Sequence, residues 1–193
     1  GGSLLENSVV VLDEFHERHL ETDLAFALLR DRQARSKNLR LLIMSATLAE
    51  CSDAPLIRAA GRLFPVHIEY RPHSAAPLEE QAAAAVAHAL TQTKKHVLVF
   101  LPGAAEIRNA IRACQVAARR AGAQLLPLYG DLSPDQQDLA VAPSSSRKVI
   151  CSTNVAESSV TIDGVEAVID SGFARVLSYS PWNGLSRLQV EKI

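Results

Sequence analysis

The stretch Val97-Leu98-Val99-Phe100-Leu101-Pro102-Gly103 decides the fold. Its apolar run is too short for a helix and shows no alternation, the pattern of a strand buried on both faces in a parallel sheet. Pro102 and Gly103 stop the strand, and Ile107, Ile111 and Cys114 then recur at helical spacing. Arg119 and Arg120 suit the negative end of that helix, and Gly122 can close it from the left-handed region. Outward from this unit the alternation repeats. Apolar bursts from Val9 to Leu12, Leu41 to Met44, Leu125 to Leu128, Val149 to Cys151 and Val165 to Ile169 predict further buried parallel strands. Leu20, Leu24 and Leu28 share one helix face, and Leu78, Ala82, Val86 and Leu90 share another. Ser133-Pro134-Asp135-Gln136 opens a fourth helix, with Ser as N-cap, Pro in the first turn and Gln placed to reach back. Strand, helix, strand, helix in this order implies an α/β fold of parallel sheets flanked by helices.

The periodicity pauses at Gly61-Arg62-Leu63-Phe64-Pro65 and again between Arg71 and Pro77, which places a boundary near residues 66–76. Residues 1–67 form a first piece too small for a full α/β layer, expected to be the end of a domain whose start is missing. Residues 68–193 form a second domain. After Ala174 the period becomes two on both sides of Pro181-Trp182-Asn183-Gly184, so residues 174–193 read as a β-hairpin.

Charge and cysteine content limit the partners. The chain carries 20 Lys+Arg and 21 Asp+Glu among 193 residues, so no global basic field draws in a polyanion and any phosphate chain must be gripped locally. Cys51, Cys114 and Cys151 are odd in number and far apart, which argues against a disulfide framework or thiolate zinc site and favours a reducing cytoplasm. No stretch reaches the roughly 20 apolar residues of a membrane span.

The chemistry-bearing residues sit where strands end. Val9-Val10-Val11-Leu12 runs directly into Asp13-Glu14-Phe15-His16, placing adjacent carboxylates at a strand's carboxyl edge, where open α/β sheets bind ligands. One carboxylate there can serve Mg²⁺ while the other polarises a water; a solvated turn leading into a helix is the structural alternative. His16 and His19 could share a helix face as zinc ligands, but they lack the spacing and third ligand of the metalloprotease helix. Leu41-Leu42-Ile43-Met44 ends in Ser45-Ala46-Thr47, hydroxyls that either bond the carboxylates or simply cap a turn. Pro102-Gly103 and Thr153-Asn154 follow two further strands, at corners whose backbone N–H groups suit phosphate oxygens.

Together, Asp13-Glu14-Phe15-His16, Ser45-Ala46-Thr47, Val99 to Gly103, Pro127-Leu128-Tyr129-Gly130 and Ser152 to Gly164 resemble the ordered motifs of superfamily-two DExH/DEAH-box RNA helicases. Phe15, where most DEAH-box members carry Ala, makes a bacterial subgroup the best match. The resemblance implies part of one RecA-like domain followed by most of a second with a C-terminal β-hairpin. It implies ATP and Mg²⁺, with Asp13 and Glu14 serving the metal and the hydrolytic water and His16 linking the nucleotide site to the second domain. Ser45 and Thr47 would couple hydrolysis to unwinding. Gly103, Thr153 and Asn154 would touch the backbone of single-stranded RNA, Ser159 would sense the nucleotide, and Asp163 would approach its ribose. The hairpin around Trp182 would assist strand separation.

Departures temper the expected activity. No Gly-x-x-x-x-Gly-Lys-[Ser/Thr] cradle is present, nor the arginine-rich motif expected after Ile193, so the chain alone is expected neither to hydrolyse ATP nor to unwind RNA. Leu48 to Pro55 is shorter than usual, Val141 stands near a common aromatic position, and Ser158 replaces Thr. Two rivals stay open: a non-hydrolysing RNA- or partner-binding module, and a DNA translocase of the same superfamily, since backbone contacts carry little sugar identity.

Overall fold

The structure, a computed structural model, describes residues 8–35, 38–47, 54–59, 64–72, 74–154, 161–179, 182, 184 and 186–193. The chain divides into two compact units, Gly1–Ile68 and Glu69–Ile193.

In the first unit β1 (Val9–Leu12) pairs in parallel with β2 (Arg40–Ile43), with Val9 opposite Arg40 and Leu12 opposite Ile43. A single 3-10 turn, Phe15–Glu17, leads to α1 (Leu20–Arg35), which returns the chain between them. The expectation of buried strands fails here. Val9 and Val11 of β1 and Leu42 of β2 are exposed, and Leu20, Leu24 and Leu28 of α1 are 79%, 58% and 63% exposed. Among the described residues of this unit, two strands and one helix offer no second layer, so the periodicity is present without a described partner to bury it.

The second unit holds a four-stranded parallel sheet. Its strands are β3 (His96–Phe100), β4 (Gln124–Leu128), β5 (Lys148–Ser152) and β6 (Val165–Asp170), in the order β4-β5-β3-β6. Alternation sorts the faces. Val97 and Val99 of β3 and Val149 and Cys151 of β5 meet Ala82, Val86, Ala89 and Leu90 of α2 (Leu78–Gln92). The same cluster takes Ile107, Ala110 and Cys114 of α3 (Ala104–Arg120). Leu98, Leu128 and Ile150 face the other way, onto Ala140 of α4 (Pro134–Val141). Each fully buried Val or Ile contributes about 1.5–3 kcal/mol of transfer free energy, which makes this two-faced sheet the stability centre of the unit.

Local chemistry sets the ends of these elements. Gly122 has φ 62° after α3, in the left-handed cap conformation, and the Gln136 side chain accepts the Ser133 N–H at 3.3 Å at the start of α4. Pro127 lies on the edge strand β4; Gln124 N–H points inward to Arg147 C=O (2.8 Å), so by alternation the missing N–H of Pro127 faces the free edge. β7 (Phe173–Tyr179) and β8 (Ser186–Lys192) form an antiparallel hairpin, with Phe173 opposite Lys192 and Tyr179 opposite Ser186. Its connection spans residues 180–185, where Trp182 is 97% exposed and Gly184 has φ 66°.

Candidate functional site

The acidic turn leaves β1 at the carboxyl edge of the parallel pair and is stitched to the end of β2. Met44 N–H donates to Leu12 C=O at 2.8 Å, and Phe15 N–H donates to Met44 C=O at 3.0 Å. Asp13 and Glu14 are thereby held beside Ser45-Ala46-Thr47. Glu14 sits in the left-handed region (φ 49°, ψ 38°), which costs a non-glycine residue about 1–2 kcal/mol. Its C=O accepts the Glu17 N–H at 3.0 Å, and its own N–H donates to Asp13 Oδ1 at 2.8 Å. His16 Nδ1 lies 3.3 Å from Glu14 Oε2, while His19 Nε2 lies 2.6 Å from Glu17 Oε2, so the two histidines engage different carboxylates. Ser45 Oγ accepts the Thr47 N–H at 3.2 Å, a local turn bond, and Thr47 is exposed.

Asp13 and Glu14 suit Mg²⁺. Both side chains are exposed hard-oxygen donors, and Mg²⁺ commonly takes one or two carboxylates and completes its shell with water and phosphate oxygens. No cluster of three or more His, Cys, Asp or Glu able to cage a metal occurs among the described residues.

In the second unit Gly103, Thr153 and Asn154 come together at the carboxyl edge of neighbouring strands β3 and β5. Leu101 N–H donates to Ser152 C=O at 2.8 Å, Thr153 N–H donates to Leu128 C=O at 3.2 Å, and Ser152 Oγ donates to Thr153 C=O at 2.8 Å. Thr153 is half-buried and Asn154 exposed. Gly103 differs from expectation: it is buried. Its φ of −172° is ordinary extended backbone, so space decides its identity. A Cβ there would stand 2.8 Å from Glu106 Oε2 and 2.9 Å from Arg175 Cζ. The exposed group beside Gly103 is Arg175 of β7, a residue that motif reading missed because it comes from the hairpin, 72 positions away in sequence. Glu106 Oε2 is itself buried without a hydrogen-bond partner among the described residues.

Asp163 does not join this group. It is exposed in the turn before β6, where Gly164 C=O accepts the His96 N–H at 2.9 Å, at the amino edge of the sheet. A strand's length, about 15 Å, separates it from the Thr153 corner. Ser159 lies outside the described residues, as does Ser158.

The base of β5 holds further groups without a motif signal. The Arg147 guanidinium donates to the carbonyl of Leu90 (3.1 Å) in the last turn of α2 and to those of Thr93 and Lys95 (3.0 Å) just after it. Lys148 is 2% exposed, and its Nζ donates to the carbonyls of Leu139 (2.8 Å), Ala140 (3.2 Å) and Ala142 (2.7 Å) at the end of α4. Burial pushes the ammonium below its ordinary pKa, while the three carbonyl dipoles favour its charged form. His96 Nδ1 accepts the Lys148 N–H at 3.2 Å, and burial, then Lys148 and Lys95, push that imidazole's pKa down. Burial raises the thiols of Cys114 to about 11 and Cys151 to about 12, with Cys114 adding to the latter, so both stay protonated and inert.

Residues 81–190 match the helicase conserved C-terminal domain. Over 197 residues the chain is 42% identical to "ATP-dependent RNA helicase HrpB" of Escherichia coli (strain K12), covering 96% of this chain and 24% of that protein. It is 37% identical over 208 residues to "Probable ATP-dependent RNA helicase DHX34" of Homo sapiens, covering 97% of this chain and 18% of the relative. The crystal structure of the Escherichia coli DEAH/RHA helicase HrpB superposes with a TM-score of 0.85 at 40% identity, over 96% of this chain and 25% of that one. The chain thus spans about a quarter or less of the length of these relatives.

Proposed function

This chain belongs to the helicase conserved C-terminal domain family, among the DExH/DEAH-box helicases of superfamily two, and from that premise we propose that it forms part of an ATP-dependent RNA helicase. The observation that carries the reading is the acidic corner: Asp13 and Glu14 at a parallel-strand edge, with His16 Nδ1 at 3.3 Å from Glu14 and the whole turn hydrogen-bonded to the Ser45-Ala46-Thr47 strand end. Glu14 orients and deprotonates the attacking water, and His16 holds the carboxylate that receives the proton. Asp13 with Glu14 would hold Mg²⁺, which when bound neutralises charge developing on the phosphate oxygens. The Phe15 N–H to Met44 C=O bond is the physical link through which Ser45 and Thr47 follow the state of that corner.

At the second corner Thr153, Asn154 and the Arg175 guanidinium meet the phosphates of single-stranded RNA, while Gly103 supplies the space that lets Arg175 lie there. Asp163, and Ser159 from outside the described residues, serve the nucleotide. RNA is preferred over DNA on the names of the relatives, because phosphate contacts alone do not read the sugar. Cys114 and Cys151 are free and buried, which fits a reducing compartment such as the cytoplasm. Among the described residues no helix is long and apolar enough to cross a membrane.

The test uses the full-length protein that carries this sequence, measuring ATP turnover with and without single-stranded RNA for wild type and Glu14→Gln. Turnover should rise with RNA in the wild type and fall by about 10²–10⁴ in the variant, with RNA binding retained. RNA binding without turnover in both versions would favour a pure binding module, and turnover untouched by Glu14→Gln would remove Glu14 from the chemistry.

A further inference from the structure

We propose that Arg18 is a positioning residue, whose guanidinium, clamped by Asp23 and laid over Phe15, holds the Glu14–His16 pair in place. The inference rests on the reading of Glu14 and His16 given above. Its starting point is strain. The turn Phe15–Glu17 is bracketed by two left-handed residues, Glu14 (φ 49°, ψ 38°) and Arg18 (φ 54°, ψ 40°), and these are the non-glycine residues with positive φ among those described. Such residues persist where their surroundings over-determine them, and they concentrate at functional sites. Had the chain needed only to end a turn at position 18, glycine would do so without strain.

What arginine adds is its side chain. Nε donates to Asp23 Oδ1 at 3.1 Å and to Oδ2 at 3.2 Å, and Nη2 donates to Oδ2 at 3.0 Å, a forked grip that lysine cannot reproduce. Asp23 is anchored in turn, its N–H donating to His19 C=O at 2.9 Å in the first turn of α1. The guanidinium carbon lies 5.8 Å from the centre of the Phe15 ring. That ring meets Phe26 of α1 edge-on, with centroids 5.2 Å apart at 66°. Phe15 therefore has one face under a cation, an edge contact with a helix, and its N–H bonded to Met44 C=O. Because Phe15 lies between Glu14 and His16 in the chain, fixing its ring and backbone fixes the directions in which both neighbours leave the turn. The Arg18 and Asp23 side chains are 68% and 33% exposed, and an ion pair at that exposure contributes little to stability. Its effect falls on geometry.

The experiment compares Arg18→Ala, Arg18→Lys, Asp23→Asn and the double variant Arg18→Ala/Asp23→Asn in the full-length protein. Arg18→Ala should lower kcat for ATP about tenfold to a hundredfold, the scale of a small misplacement of reacting groups, with KM for ATP within about twofold. Arg18→Lys should recover only part of the loss, and the double variant should be no worse than Arg18→Ala alone. A second readout needs no turnover: in the full-length protein selectively ¹⁵N-labelled at histidine, the backbone amide signal of His16 should shift in both Arg18→Ala and Asp23→Asn, while the melting temperature stays at the wild-type value. A kcat within twofold of wild type, or a kcat loss matched by a loss of melting temperature, overturns the proposal. Absence of RNA-stimulated turnover in the wild type would instead strike the functional reading. The NMR comparison then decides, because a His16 amide signal unmoved in both variants overturns the clamp.

Discussion

Replacing Lys148 by Met removes an ammonium from the core while keeping most of the side chain's volume. Three carbonyls at the end of α4 lose their donor: Leu139 at 2.8 Å, Ala140 at 3.2 Å and Ala142 at 2.7 Å. Leu139 and Ala142 are exposed residues whose carbonyls can turn to water, but Ala140 is fully buried, and an unsatisfied buried acceptor costs about 1–3 kcal/mol. Hydrogen bonds from a charged donor contribute about 1.5–3 kcal/mol each, and relief of the ammonium's desolvation, several kcal/mol, offsets part of their loss. The balance is a destabilisation of about 2 kcal/mol, which for a unit of this size lowers the melting temperature by about 6–12 °C. Urea unfolding of the chain followed by circular dichroism measures it, with the exposed Lys95→Met as control for the change of net charge. A Lys148→Met midpoint equal to or above wild type would refute the reasoning, showing that desolvation of the ammonium outweighs its three carbonyl bonds.

Gly103→Ala should be cheap for the fold and costly for the phosphate corner. The new methyl would meet the far ends of two flexible side chains, Glu106 Oε2 at 2.8 Å and Arg175 Cζ at 2.9 Å, so stability should change by less than about 1 kcal/mol while Arg175 is displaced. RNA affinity should fall and its salt slope, d log K/d log[salt], should lose about 0.7, read by fluorescence anisotropy across a salt series. Gly164→Ala should be worse for the fold, because φ is 82° and a Cβ would stand 3.3 Å from His96 Cδ2 on a buried ring; a loss of about 1–2 kcal/mol in urea unfolding is expected. His96 supplies a pH dependence. Its folded pKa is below the ordinary 6.5, so the unfolded chain binds the extra proton first, and stability should fall as pH drops below 6.5 towards the folded value. That part of the acid loss, followed as the urea midpoint at pH 7.5 and 5, should vanish in His96→Gln.

The α/β order was legible because a parallel strand buried on both faces writes itself as an uninterrupted apolar run. Val97 to Leu101 and Val149 to Cys151 lie where such runs are expected, and His96 and Lys148, at their polar starts, extend the strands by one residue each. Periodicity alone was silent on whether a face has anything to meet. Leu20, Leu24 and Leu28 carry the same spacing as Leu78, Ala82, Val86 and Leu90, yet the first set is exposed and the second largely packed, since among the described residues the second unit has a four-stranded sheet to receive its helices and the first a two-stranded pair. Motif spacing likewise located the acidic turn and the Thr153 corner, because each follows a strand directly and inherits its place from the sheet. Arg175, Arg147 and Lys148 carry no such mark. An arginine in an alternating hairpin strand and a basic pair before an apolar run both read as solvated surface. Their partners, a glycine 72 positions away and carbonyls at the ends of two helices, exist only once the chain has folded. Arg18 falls between the cases: it sits beside a readable motif, but its left-handed backbone and its fork to Asp23 are three-dimensional facts, and they are what separate a positioning residue from an ordinary exposed charge.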